Sequence, residues 1–129
     1  MIDLINLALE YKEKAYVPYS NFRVGAAVRF ESGNVYGGCN IENVSFGATN
    51  CAERTAIFSG IKEGEKIISE IAIVADSEEL IAPCGICRQV IVEFSTEDTK
   101  IILAKNEEEY IIKTVEEIMP GAFTKDFLK

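Results

Sequence analysis

The sequence predicts a mixed α/β domain with helices packed on one sheet. Three observations carry this. Stretches of helical and strand period follow one another as helix, strand, strand, helix, strand, helix, strand, strand, helix. The run Ile71-Ala72-Ile73-Val74-Ala75 has no polar alternation, as expected of a strand covered on both faces. No repeat, low-complexity segment or linker breaks the 129 residues, so 1–129 is expected to be a single domain.

The elements follow in order. Asp3 is a candidate cap for a first helix, with Leu4, Leu7, Ala8, Tyr11 and Ala15 on its apolar face and Pro18 ending it. Residues 16–21 read as a loop. Val24, Ala26, Val28 and Phe30 then alternate with Arg23, Gly25, Ala27 and Arg29, which is a strand. Residues 31–34 supply a turn, and residues 35–41 return as the second strand of a hairpin. Gly37 and Gly38 inside that strand mark a bulge or a close backbone approach. Asn40-Ile41-Glu42-Asn43 puts polar side chains where the strand leaves the sheet, and residues 44–50 form a loop.

A helix over about 51–61 is slim on one side, with Ala52, Thr55, Ala56 and Ser59, and Gly60 and Gly64 bracket its end. Residues 67–75 are a strand and 76–82 a loop. Pro83 suits the opening of the next helix, whose stripe is Ile86, Val90, Ile91 and Phe94. Residues 100–104 read as a short buried strand and 110–113 as an edge strand. Thr114 and Glu117 form a capping-box pattern for a last short helix that Pro120 stops.

Composition narrows the function. Thirteen basic and twenty-one acidic residues give a net charge of −8 with no basic run, which disfavours nucleic acid and anionic membrane as partners. The apolar runs are too short to cross a bilayer, and no leader precedes the first helix, so the expected compartment is the cytoplasm. There is no histidine. That removes Ser-His-Asp and Cys-His nucleophiles and a histidine base, leaving Cys, Asp, Glu or backbone to hold any metal.

Two stretches carry the chemistry: Asn50-Cys51-Ala52-Glu53-Arg54 and Pro83-Cys84-Gly85-Ile86-Cys87-Arg88. Cys84 and Cys87 are one helical turn apart, so both sulfurs can face one ion, and Cys51 at the start of the earlier helix supplies a third. Zinc with three thiolates carries one net negative charge. The two helix N-termini offset part of it. Arg54 is the best side chain to donate to the sulfurs, with Gln89 and Arg88 behind it. Glu53, two residues from Cys51, can serve a metal-bound water as proton shuttle without ligating the metal. Asn50 and Glu53 also fit a plain capping box. Cys39 offers a rival: as a fourth ligand it would close a structural, inactive zinc module, whereas a buried strand cysteine is ordinarily a small hydrophobe.

The combined motifs resemble a known family. Phe22-Arg23-Val24-Gly25-Ala26-Ala27, Asn40-Ile41-Glu42-Asn43, Asn50-Cys51-Ala52-Glu53-Arg54-Thr55, Pro83-Cys84-Gly85-Ile86-Cys87-Arg88-Gln89 and Pro120-Gly121-Ala122-Phe123 are similar to the small homotetrameric zinc-dependent cytidine deaminases, over nearly the full chain. C-A-E followed by P-C-x-x-C is the three-cysteine form of the zinc nucleobase deaminase signature. The resemblance implies a three-layer fold with a central mixed five-stranded sheet flanked by helices. It implies hydrolysis of cytidine and deoxycytidine to uridine and deoxyuridine in pyrimidine salvage, zinc-bound hydroxide attacking C4 with Glu53 as shuttle. By the same likeness Cys51, Cys84 and Cys87 bind one Zn2+ per chain, and the Ala52 backbone reads the base. Asn40 and Glu42 hold the ribose 3′-hydroxyl, Phe22 packs on the substrate, and Phe123 closes the pocket of a neighbouring subunit in a homotetramer. One departure stands out: Phe46 occupies a position where the family often has tyrosine, which removes one polar contact between subunits. Deaminases of another amino-pyrimidine nucleoside are the nearest enzymatic rival. The tRNA-acting relatives resemble H-A-E rather than C-A-E and tend to be basic, unlike this chain.

Overall fold

Where two backbones must nearly touch, only glycine fits, and that requirement sets the layers here. In the computed structural model, which describes residues 1–128, the elements are α1 (Ile2–Lys12), β1 (Val24–Phe30), β2 (Val35–Cys39), α2 (Ala52–Lys62), β3 (Ile68–Ala75), α3 (Gly85–Glu93), β4 (Ser95–Ala104), β5 (Tyr110–Lys113) and α4 (Val115–Ile118). The sheet order is β2-β1-β3-β4-β5. Only the β3–β4 pair is parallel, and its crossover carries α3.

A Cβ on Gly25 would collide with the Ala8 carbonyl oxygen, so α1 rests directly on β1. A Cβ on Gly38 would lie 2.5 Å from the Ala56 nitrogen and 2.7 Å from the Ala52 oxygen, so α2 rests on β2 from the other side. The strand period of two sends Gly37 toward Tyr11 of α1 and Gly38 toward α2. Of the two expectations for this glycine pair, a bulge or a close approach, the structure shows close approach, to two layers.

Two apolar clusters sit on opposite faces of the sheet. Ile71, Ile73, Ile101 and Leu103 pack with Ala52, Ala56 and Ile57 of α2, Ile91 of α3 and Ile118 of α4. Ala72, Val74, Ile102 and Ala104 pack with Leu4, Ile5 and Ala8 of α1. The result is the expected three-layer α/β fold with a mixed five-stranded sheet. β3 feeds both clusters, which is why its sequence shows no alternation. The Thr114–Glu117 capping box forms as expected, and 110–113 is the edge strand.

Several boundaries differ. Met1, not Asp3, caps α1, because the Met1 carbonyl already accepts from Leu4 and Ile5 while Asp3 is taken by the terminal amine and Arg29. The helix also stops at Lys12, short of Pro18, and Tyr16 then pairs with Ile41. The second strand ends at Cys39, since Ile41 turns to bridge Tyr16 and Asn50. The short strand at 100–104 is in fact β4 from Ser95. Its polar start stays exposed over 96–98, and only Thr99 is buried, where its Oγ1 donates to the Ile68 carbonyl at 2.6 Å and accepts from Thr96 N–H. In α3, Ile86 is 65% exposed, and Cys87 takes a buried place with Ile91 and Val92.

One ion cluster ties the end of α1 to the ends of β1 and β3. Asp76 accepts from Arg23 Nε at 2.7 Å, from Arg23 N–H at 3.2 Å and from Lys12 Nζ at 3.0 Å. The Arg23 guanidinium, followed by Lys12, holds its carboxyl down at about 2. A carboxylate lowered on folding stabilises above its ordinary value and loses that stability as pH falls through the folded one. Asp76→Asn is therefore expected to cost about 1 kcal/mol at neutral pH, after allowing for solvent screening of a side chain 26% exposed. Thermal melts should show the difference from the parent shrinking as pH drops from 3.8 toward 2.

Candidate metal centre and its cleft

Cys51 and Cys84 play the same local part: each is the N-cap of its helix, with extended backbone, and neither side chain caps. Cys87 lies one turn into α3. The three sulfurs lie within 4.8 Å of one another, with Cys51 and Cys84 at 3.8 Å. A tetrahedral zinc with bonds of about 2.3 Å keeps its sulfurs about 3.8 Å apart, so the cluster fits that ion. Two helix N-termini meet here and favour negative charge.

The electrostatics agree with a thiolate site. Bonding with Cys87, then Arg54, lowers the Cys51 thiol to about 5. That same bond and burial push Cys87 up. Arg54 Nη2 stands 3.4 Å from Cys51 Sγ and also 3.4 Å from the Thr49 carbonyl, within reach to donate to both. Gln89 instead donates to the Phe123 carbonyl at 2.7 Å, and Arg88 donates to the carbonyls of Pro83 and Ile118. Both therefore brace backbone around the site.

Glu53 is 4% exposed, in the first turn of α2. Burial raises its pKa, the largest influence on it, and the Cys51 charge adds to that. The alternative capping box fails here: Cys51 is the N-cap, and Asn50 Nδ2 donates to Thr55 Oγ1 at 2.9 Å. Cys39 stands outside the cluster. Its thiol donates to the Lys14 carbonyl at 3.4 Å, and burial pushes its pKa up. Cys87→Ala is expected to abolish zinc binding and Cys39→Ala to leave the zinc content unchanged, both read by metal analysis of purified protein.

A cleft of about 200 Å3 opens over the cluster, lined among others by Asn40, Cys51, Ala52, Glu53 and Cys84. A hollow of about 380 Å3 adjoins it, lined by Tyr19, Ser20, Glu42, Phe46 and Thr49, and Thr49 lines both. The structure thus gathers Asn40, Ala52, Glu53 and the cysteines, with Glu42 next door. Among the described residues, Phe22 and Phe123 line neither space. Phe22 is part-exposed beside Asn40, and Phe123 is 58% exposed and stacked on Phe127. Phe46 meets Tyr19 edge to face at 6.1 Å. Sequence reasoning misses Ser20 and Thr49. Ser20 carries one signal, a serine two residues before an aromatic in a turn.

With that geometry in place, similarity decides the family. Residues 2–104 match the model of the cytidine and deoxycytidylate deaminase zinc-binding region. The chain belongs to this family. Among its deaminase relatives, the cytidine deaminase of Halalkalibacterium halodurans is 49% identical, over 95% of this chain and 93% of its own. The crystal structure of cytidine deaminase from Burkholderia pseudomallei superposes with a TM-score of 0.88 at 42% identity, covering 94% of this chain and 97% of that one. The cytidine deaminase from Mycobacterium tuberculosis gives 0.82 at 35% identity, covering 94% of each.

Proposed function

We propose that the chain hydrolyses cytidine and deoxycytidine to uridine and deoxyuridine, with release of ammonia. The observation that carries this is the buried Glu53 beside three cysteines whose sulfurs lie within 4.8 Å of one another, in a chain of the deaminase family. Cys51, Cys84 and Cys87 would hold a zinc ion, which would supply the Lewis acidity that makes water a nucleophile at neutral pH. Glu53 takes the proton from the attacking water. It delivers that proton to the ring nitrogen as the C–O bond forms, then takes the second proton from the new C4 hydroxyl and delivers it to the amine, which leaves as ammonia when the C–N bond breaks. A buried carboxylate whose pKa is raised by burial suits that cycle, because its surroundings favour the protonated form through which it passes. The Ala52 backbone is read as contacting the base, which its position in the cleft lining supports, and Arg54 as steadying the sulfurs, which its 3.4 Å approach to Cys51 Sγ supports.

Asn40 and Glu42 are read as sugar ligands. Asn40 already bonds Val24 N–H and the Phe22 carbonyl, yet its amide keeps one donor and one acceptor position free. The acidic surface is no obstacle to a neutral nucleoside. Phe22 is read as packing on the substrate and Phe123 as closing a neighbouring subunit's pocket in a homotetramer. The exposure of Tyr19, Phe22, Phe46, Phe58, Phe123 and Phe127 supports burial against other copies. We read 1–129 as one domain, since both clusters share one sheet, and place it in the cytoplasm, where thiols stay reduced. No helix among the described residues is long and apolar enough to cross a membrane.

The test is direct. Purified, zinc-loaded protein is expected to remove the cytosine absorbance band of cytidine and release ammonia in equal amount. No loss of absorbance from a protein with full zinc content would overturn this reading and leave a deaminase of another amino-pyrimidine nucleoside in its place.

A further inference from the structure

A strained turn brings one serine hydroxyl between two parts of the site. Residues 17–21 close with Asn21 N–H on the Val17 carbonyl at 3.0 Å, and Asn21 takes φ +57°, a conformation asparagine tolerates better than most residues. The turn aims three donors at one carboxylate. Tyr19 N–H and Ser20 N–H reach Glu42 Oε1 at 3.0 and 3.1 Å, and the Ser20 hydroxyl donates to Oε2. The same hydroxyl oxygen accepts Phe22 N–H at 3.0 Å. The Phe22 carbonyl accepts from Asn40 Nδ2 at 2.8 Å. One unbroken run of hydrogen bonds therefore links Glu42, Ser20, Phe22 and Asn40.

A carboxylate offers about four lone-pair positions. Three are filled by the turn, which leaves one, on Oε2. Glu42 and Ser20 both line the larger hollow beside the metal cleft. The Ser20 hydroxyl, first among its influences, keeps the Glu42 carboxyl below its ordinary range, so it stays an acceptor. A single free acceptor calls for a single donor, and a neutral sugar hydroxyl supplies one. A phosphate in that place would bring negative charge against negative charge.

We infer that Ser20 is a positioning residue for sugar recognition: its hydroxyl fixes the Glu42 carboxylate so that one acceptor position is left for one sugar hydroxyl, and ties it to the Phe22 backbone. This rests on the deaminase reading above, in which Asn40 and Glu42 take the 3′-hydroxyl. Ser20 acts through Glu42, so removing it should matter only when the substrate carries that hydroxyl.

The experiment pairs the residue with the substrate group. Zinc-loaded parent, Ser20→Ala and Ser20→Thr proteins are assayed on cytidine and on 3′-deoxycytidine, with folding checked by thermal melts. Ser20→Ala is expected to raise KM for cytidine about tenfold, the scale of one lost charge-assisted hydrogen bond, with kcat changed less than about twofold. Its KM for 3′-deoxycytidine should stay near the parent's, and Ser20→Thr should recover most of the loss on cytidine. An equal loss on both substrates, or none on cytidine, overturns the inference while leaving the deaminase reading standing. A parent protein that turns over neither nucleoside overturns both.

Discussion

Glu53→Gln is expected to lower turnover of cytidine by a factor on the order of 10²–10⁴ while zinc content stays at the parent's value. The amide keeps the volume of the carboxyl and a hydrogen-bonding group, so the packing of α2 against the sheet is preserved. What it loses is the ability to take up and return a proton. Glu53 is buried in the first turn of α2, next to the cysteine that caps that helix, and among the described residues no other carboxylate lines the cleft. Neutralising a buried acid removes a desolvation cost, so the variant should melt no lower than the parent. Steady-state kinetics with metal analysis and a melting curve decide the matter. Full activity in the variant would sink the proton-shuttle role, and lost zinc would show that Glu53 supports the metal instead.

Gly38→Ala is expected to destabilise the protein by about 1–3 kcal/mol and to weaken zinc binding as well. The added Cβ would meet the backbone of Ala52 and Ala56, which has no flexible end to move aside. α2 as a whole must shift. Ala52 directly follows Cys51, so the shift is transmitted to one sulfur of the cluster and to Glu53. Gly25→Ala is a useful comparison, because its Cβ would strike α1 on the opposite face of the sheet. Both should lower the melting temperature, and only Gly38→Ala should lower zinc affinity in a competitive chelator titration. Equal zinc affinity in the two variants would show that the cluster tolerates displacement of α2.

Much of the architecture is legible in the chain. The strand alternation of β1, the unbroken apolar run of β3 and the Thr114–Glu117 box are local signals, and each forms at its expected place. The three cysteines are legible because their spacing relative to two helix starts restricts what they can reach. What escapes depends on distant partners. Ile86 fits the α3 stripe by period, yet Cys87 takes the buried place because it faces Cys51 of another helix. Gln89 sits near the sulfurs in sequence but is drawn to the Phe123 carbonyl, 34 residues on. The bond between Ser20 and Glu42 spans 22 residues and is made by a turn whose strain no period reveals.

The placing of the thiols on two helices has a consequence for the chain as a polymer. Cys51 and Cys84 are 33 residues apart, and between them lie the body of α2 and the whole central strand β3. An ion bound to both is a cross-link that closes this loop, and it withholds from the unfolded chain much of the freedom that folding must otherwise remove. The same ion that equips the cleft then fastens the sheet's central strand to the helices on either side of it in sequence. Metal occupancy and the stability of the fold are then linked, so removing zinc is expected to lower the melting temperature as well as to remove the chemistry.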